Sequence, residues 1–214
     1  MDNPSSFQQI VSLGPNCRPK YHIQRYYGKH TAKRGVFDWQ ITSGDALILY
    51  LESDFRGMFE REDLTITDKG IVVNRRVGTM HHHEFPSEHI DETVLDLHYA
   101  TARQNHDTWC ATTRSFLTNR ASTLFVFANE AAAETKSAIA EYLNTRAPAK
   151  IYALIEAPED VLADDWRGTE TIWEQLFSPY RIKPTYSARA AYRLHRFKEK
   201  LRRYTRRFSD GVEA

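Results

Sequence analysis

The sequence predicts an α/β protein with a mostly parallel central sheet, helices on both faces, a β-hairpin insertion and a basic C-terminal helix. Apolar runs of strand length occur at residues 9–13, 124–127 and 151–155. Continuous apolar runs of this kind are typical of strands that are buried on both faces. The stretches between them have helical periodicity, and strands that alternate with helices form parallel sheets.

The predicted helices begin and end at recognisable capping signals. Pro19 falls in a first turn, where a missing N–H is tolerated, and Gly28 follows the last turn of the same helix. Ser43 is a candidate N-cap for the next helix, and a third, polar helix is expected to break near Asn105. We expect helices at residues 18–27, 43–59, 92–117 and 131–145.

The inserted hairpin and the domain boundary follow from turn residues and charge. Residues 64–67 and 70–77 have strand-like composition, and the Asp68-Lys69-Gly70 segment between them favours a turn. The composition changes after Pro184, where a strongly basic segment begins. We therefore predict a single α/β domain at residues 1–184 and a basic amphipathic helix at residues 185–214.

Composition narrows the class of protein. The 214 residues are 41% hydrophobic and 27% charged, as is ordinary for one globular domain. No stretch approaches the roughly 20 apolar residues that span a bilayer, and the first residues lack the features of a signal peptide. The two cysteines, Cys17 and Cys110, are too few for a disulfide framework, although one bond between them stays open. We expect a cytoplasmic protein.

Cys17 is the first candidate catalytic residue, because it follows a strand and a glycine turn and begins a helix. The first turn of a helix has unpaired N–H groups and partial positive charge, which favour a thiolate and could hold an oxyanion. Gly14 supplies the turn, and the Asn16 amide is a candidate oxyanion donor or an ordinary turn residue. The alternative for Cys17 is a small buried residue that fills space.

These residues belong to three motifs that resemble a known family. The motifs are Ser12-Leu13-Gly14-x-x-Cys17, Phe37-Asp38-Trp39 and His83-Glu84-Phe85. In this order they are similar to a bacterial family called papain-like cysteine peptidases, over roughly residues 9–130. The family usually has Asp where this chain has Glu84, and Arg where it has Ala128. The resemblance implies a thiol nucleophile at Cys17 with His83 as its base.

His83 is the last of three consecutive histidines. If the preceding strand continues, His81 and His83 lie on one face and His82 lies on the other. His-x-His on a strand is also a metal-ligand spacing, and His89 lies nearby, so a zinc site at His81 and His83 is the second interpretation. A solvated strand end is the simplest interpretation of His81 and His82.

Asp38 is the candidate that would orient the histidine. A carboxylate between two large aromatic residues is rarely left unpaired, and it could accept a hydrogen bond from His83. It could equally cap a helix or hold a loop through backbone N–H donors. Glu84 is the competing carboxylate, but neighbouring residues of a strand point to opposite faces.

The basic tail carries the most uneven charge in the chain. Residues 189–208 contain nine Lys or Arg and one acid, so this segment carries +8 while the whole chain carries +1. Apolar residues recur at spacings of three and four, which predicts one amphipathic helix at residues 188–208. The tail could dock on its own domain or lie on an anionic membrane surface. Nucleic acid is the least favoured partner, because no other feature is suited to reading bases.

The leading functional prediction is a cysteine-dependent hydrolase, peptidase-like, or an acyl transferase. Cys17 would attack a carbonyl carbon, His83 would move the proton and Asp38 would orient the imidazole. We expect an acyl or peptide-like substrate and no cofactor. The alternatives are a non-catalytic binding protein recruited to membranes by its tail, and a metal-dependent hydrolase that uses His81 and His83.

Overall fold

The computed structural model describes residues 6–29, 33–85, 90–127, 132–157 and 165–184, and also Ala190, Leu194 and Phe197. The strands are β1 (Ser6–Phe7), β2 (Gln9–Ser12), β3 (Gln40–Ile41), β4 (Leu64–Ile66), β5 (Val72–Asn74), β6 (Met80–His81), β7 (Thr123–Phe127), β8 (Tyr152–Glu156) and β9 (Arg181–Ile182). The helices are α1 (Cys17–Tyr27), α2 (Gly44–Glu52), α3 (Glu92–Thr118), α4 (Ala132–Arg146) and α5 (Glu170–Phe177). The mixed α/β class with parallel strands is confirmed.

The three strands predicted from apolar runs form one parallel sheet in the order β2-β7-β8. All five residues of the middle strand β7 are buried, as its unbroken apolar sequence predicts. Successive residues of β7 enter different clusters of the core. Leu124 and Val126 pack with residues of α1 and α5, whereas Phe125 and Phe127 pack with residues of α2, α3 and α4.

A second, antiparallel sheet has the strand order β3-β6-β5-β4. The predicted hairpin is its β4–β5 pair, in which Leu64 faces Asn74 and Ile66 faces Val72. The sequence did not predict β3 and β6, which have two residues each and pair with one another. A separate parallel pair joins β1 to β9, one near each end of the described chain.

Two helix predictions needed correction, one at the end of a helix and one at an internal break. Ser43 caps α2 as expected, because its hydroxyl accepts the Ala46 N–H at 3.2 Å. That helix ends at Glu52 rather than continuing to residue 59, since Asp54 and Phe55 have φ angles of 51° and 61°. Residues in this left-handed region cannot continue a right-handed helix. The long helix α3 is unbroken at Asn105, contrary to expectation.

The C-terminal segment is described at only three positions. Ala190, Leu194 and Phe197 are helical, and the rest of the predicted helix at 188–208 lies outside the described residues. Leu194 and Phe197 are 55% and 60% exposed. Within the described part of the chain, no helix has the length and apolar character needed to cross a membrane.

Candidate functional site around Cys17 and His83

Cys17 is the first residue of α1 and lies just beyond the carboxyl end of β2. Gly14 makes the turn with φ of 92°, a conformation that favours glycine. The Asn16 side chain accepts the Arg18 N–H at 2.9 Å and so caps the helix. The Asn16 contact is thus that of a turn and capping residue. Cys17 itself is a free, half-buried thiol.

The electrostatics of Cys17 differ from the sequence expectation. Burial raises the pKa of the Cys17 thiol above its ordinary value, while its own backbone N–H and Arg18 oppose the shift. The Asn16 cap already occupies one N–H of the first turn, and Pro19 has none to offer. The prediction of a depressed thiol pKa was therefore wrong. At neutral pH the Cys17 thiol therefore keeps its proton.

The segment around β3 contacts both the cysteine turn and His83. The Thr42 N–H, directly after β3, donates to the Pro15 carbonyl at 2.6 Å. Trp39, directly before β3, meets the His83 ring edge-to-face at a centroid distance of 5.3 Å. The structure thus connects the two predicted partners through one short segment. Across the residues that the structure describes, no hydrogen bond joins the Cys17 thiol to a histidine ring.

His83 lies in a bend after β6 and is exposed as a whole residue. The partly covered ring, next to Trp39, is harder to charge, and this burial lowers the pKa of His83. The Glu84 carboxylate raises that pKa, and the positive charges of His82 and Arg34 lower it. Since the net shift is downward from 6.5, the imidazole is neutral at neutral pH and can accept a proton.

His81 and His83 do not share a face, because β6 ends at His81 and the strand alternation stops there. His81 is 1% exposed, with Nε2 at 3.2 Å from Thr79 Oγ1 and Nδ1 at 3.6 Å from Glu84 Oε1. No group of three potential metal ligands is found among the described residues, and His89 lies outside them. The geometry therefore gives no support to the zinc interpretation.

Asp38 is buried, and its carboxylate already accepts two hydrogen bonds. Oδ2 accepts hydrogen bonds from Lys20 Nζ at 2.6 Å and from the Gly35 N–H at 2.6 Å. Burial raises the pKa of Asp38, and the Lys20 ammonium opposes that shift. These contacts correspond to the capping interpretation of Asp38. Within the described ranges, they do not include the His83 ring.

Sequence reasoning missed a buried histidine. His106 lies next to the predicted break at Asn105, where a solvated side chain is expected, yet it is 1% exposed inside α3. Its Nε2 lies 2.9 Å from the Tyr50 hydroxyl, its Nδ1 lies 3.5 Å from Cys110 Sγ, and its ring stacks on Phe59. Burial lowers the pKa of His106 and raises that of the Cys110 thiol. This second Cys-His pair is closed to solvent and uncharged, which suits a structural role.

Arg34 is a further residue that no sequence signal marked. Its guanidinium carbon lies 3.4 Å from the centre of the Trp109 ring, a stacked cation–π contact. Its Nε and Nη2 are buried without a hydrogen-bond partner in the described structure. The charges of Glu84 and Asp38 stabilise this cation, and its own charge lowers the pKa of His83.

Comparison with known proteins adds no relative to this description: no family model, curated protein or solved structure matches the chain. The case for function therefore rests on the geometry of the site and on the motifs in the sequence.

Proposed function

We propose that the protein is a cysteine-dependent hydrolase or acyl transferase, with Cys17 as nucleophile and His83 as general base. One observation carries the proposal: a half-buried thiol at the end of a parallel strand is tied by the Thr42–Pro15 hydrogen bond to the segment that contacts His83. Active sites of open parallel sheets lie at the carboxyl ends of strands. The resemblance of the motifs to papain-like cysteine peptidases points to the same pair.

The proposed reaction begins with both partners uncharged. His83 accepts the thiol proton as Cys17 Sγ bonds to the substrate carbonyl carbon. The carbonyl oxygen gains negative charge, and the Cys17 N–H at the start of α1 is the candidate donor to it. The bond to the leaving group then breaks, and the leaving group takes the proton from the His83 imidazolium. A thioester on Cys17 remains.

The second half of the reaction releases the acyl group. Water, or another nucleophile in a transferase, attacks the thioester while His83 accepts its proton. The carbon–sulfur bond breaks, and the proton returns from His83 to the Cys17 thiolate. The proposal needs no third residue to orient the imidazole, because Trp39 holds the His83 ring at its edge. In this version Asp38 acts only in folding, through Lys20 and Gly35.

We also propose how the helices are arranged on the two faces of the parallel sheet. We infer a central parallel sheet with α1 and α5 on one face and α2, α3 and α4 on the other, because successive residues of β7 contact these two sets of helices. The antiparallel sheet is then an insertion that brings Trp39 and His83 to the rim beside Cys17.

Acylation of Cys17 by an activated ester tests the function. Wild-type protein and the Cys17→Ser and Cys110→Ser variants are mixed with p-nitrophenyl acetate, and the acetylated residue is identified by mass spectrometry. Acetylation confined to Cys17, retained in Cys110→Ser and lost in Cys17→Ser, supports the proposal. Absence of any thioester on Cys17 at neutral pH would rule it out.

A second proposal concerns the basic tail, and the exposure of two of its apolar residues favours it. Leu194 and Phe197 are helical and more than half exposed, in a segment of net charge +8. An apolar stripe flanked by basic residues suits the surface of an anionic membrane. The tail would then bring the α/β domain to that surface.

A further inference from the structure

The antiparallel sheet presents a row of apolar side chains on its outer face. Ile41, Met80 and Val73 are direct cross-strand neighbours on β3, β6 and β5. Residues that face each other across a sheet share one side of it, so these three side chains form a continuous row. Ile41 and Met80 are 41% and 36% exposed, and Val73 is half-buried. We name Ile41, Met80 and Val73 the outer row.

The opposite face of the same strands is already covered. Gln40, His81 and Val72 are in register with one another, and each is 1% exposed or less. The outer row is therefore not needed to complete the core. Single exposed apolar residues are ordinary on a protein surface, but the outer row aligns three neighbours on adjacent strands into one continuous apolar surface.

The outer row lies on the chain segments that lead to both proposed catalytic residues. Ile41 directly precedes Thr42, whose N–H is bonded to Pro15 at 2.6 Å, two residues before Cys17. Met80 lies three residues before His83 on the segment that forms β6 and its following bend. An acyl group attached at Cys17 would have the outer row as the nearest apolar surface of this sheet, through the contact of Thr42 with Pro15.

We propose that the outer row is the acyl-binding subsite, and that the substrate of Cys17 carries an apolar acyl group of several carbons. This inference rests on the proposed function, because it places the reacting carbonyl at Cys17. Each fully buried methylene contributes about 0.8 kcal/mol. The open outer row would cover only one side of the acyl group. Each added methylene is therefore expected to contribute only part of the free energy of full burial.

The test compares p-nitrophenyl acetate with p-nitrophenyl octanoate as acylating agents of Cys17. We expect the octanoate to react about tenfold faster, which is well below the gain for full burial. Ile41→Ser and Met80→Ser should bring that ratio close to one, and both sites are exposed enough to tolerate the change. Leu97→Ser on α3 is the matched control, since Leu97 is 74% exposed and outside the row. Iodoacetamide labelling of Cys17 should be unchanged in all three.

The outcomes separate the two proposals. If Cys17 is acylated but shows equal rates with both esters, or if Leu97→Ser lowers the ratio as much as Met80→Ser, the acyl subsite is wrong and the function stands. If Cys17 is not acylated, the function fails. In that case the acyl subsite is tested separately, by adding octanoate to the Cys17→Ala variant and measuring chemical shift changes. Changes that the further substitution Ile41→Ser abolishes would support the subsite. Absence of any change would overturn it.

Discussion

Lys20 Nζ lies 2.6 Å from Asp38 Oδ2, and both side chains are only 2% exposed. The pair joins α1, which begins at Cys17, to the turn that leads into Trp39. Lys20 also donates to the Lys33 carbonyl at 2.7 Å, so the ammonium bridges the helix to the chain before that turn. The Lys20–Asp38 pair therefore fixes α1 against the turn that precedes Trp39.

Loss of one partner from this buried pair should be costly. Lys20→Met leaves Asp38 buried without its cation, and we expect a loss of about 3–5 kcal/mol in the free energy of unfolding. Lys20→Met combined with Asp38→Asn should recover much of it, because the amide stays neutral and can still accept the Gly35 N–H. Urea unfolding measures the free energy of unfolding of the single and the double variant. The exposed pair Lys136–Glu156 supplies the control, in which Lys136→Met should cost less than about 1 kcal/mol.

The two cysteines should differ sharply in alkylation. Cys17 is half-buried, whereas Cys110 is 3% exposed and burial raises the pKa of its thiol strongly. Iodoacetamide should label Cys17 in the native protein and Cys110 only after unfolding. Because burial also raises the pKa of Cys17, labelling should accelerate toward alkaline pH. Mass spectrometry measures the labelling of each residue. Equal labelling of Cys17 and Cys110 in the native protein would contradict the difference in burial between the two thiols.

The base role of His83 predicts an acid limb in the pH profile of ester acylation. Charging of the imidazole removes the base, so the rate should fall as pH drops through a His83 pKa that lies below 6.5. His83→Gln should lower the neutral-pH rate by about 10²–10⁴-fold. His82→Gln is the matched variant: it removes a neighbouring charge that lowers the His83 pKa, so the acid limb should move to higher pH. A profile that His83→Gln leaves unchanged would exclude this residue as the base.

His106 should make the folded state sensitive to acid. Its pKa is far lower in the folded protein than in the unfolded chain, so below about pH 6.5 the unfolded chain binds the extra proton. Stability from this group is complete above that pH and is lost as pH falls, by about 1.4 kcal/mol between about pH 7.5 and 5.5. His106→Gln, which can keep the bond to Tyr50, should reduce that pH dependence in urea unfolding. An unaltered dependence would show that other groups dominate.

The tail proposal predicts binding to anionic vesicles. The full chain should co-sediment with phosphatidylserine-containing vesicles at low salt, since each basic residue near the surface adds about 1 kcal/mol. A chain that ends at Pro184 lacks the basic segment and should stay in the supernatant. Neutral phosphatidylcholine vesicles and single-stranded RNA are the comparison ligands. Equal sedimentation of the two chains, or preference for RNA, would exclude the membrane role.

Local signals in the sequence predicted the elements that depend on local contacts. Ser43 was recognisable as a cap, and its hydroxyl does accept the Ala46 N–H. The hairpin was recognisable from the turn residues before β5. The end of α2 was not, because apolar spacing continued through Phe55 while the backbone turned left-handed at Asp54. Periodicity alone does not show where a chain leaves the helix.

The buried side chains of the site were harder to predict, because their partners are distant in sequence. No local pattern indicates that Lys20 meets Asp38, since a helix and a turn must first pack together. His106 had a usable signal that was overlooked. Its neighbours on the buried face of α3 recur at spacings of three and four, as Ala102, His106, Cys110, Thr113 and Leu117. That stripe assigns His106 to the core, despite its polar neighbours Asn105 and Asp107.

The parallel pairing of β1 with β9 has a consequence for synthesis on the ribosome. Ser6 and Phe7 precede every other described strand in the chain, and their partners Arg181 and Ile182 follow every other described strand. Closing so long a loop is entropically unfavourable until the intervening chain has folded. We therefore expect β1 to stay without its partner strand until residues 181–183 have left the ribosome, when the Lys183 N–H can reach the Phe7 carbonyl.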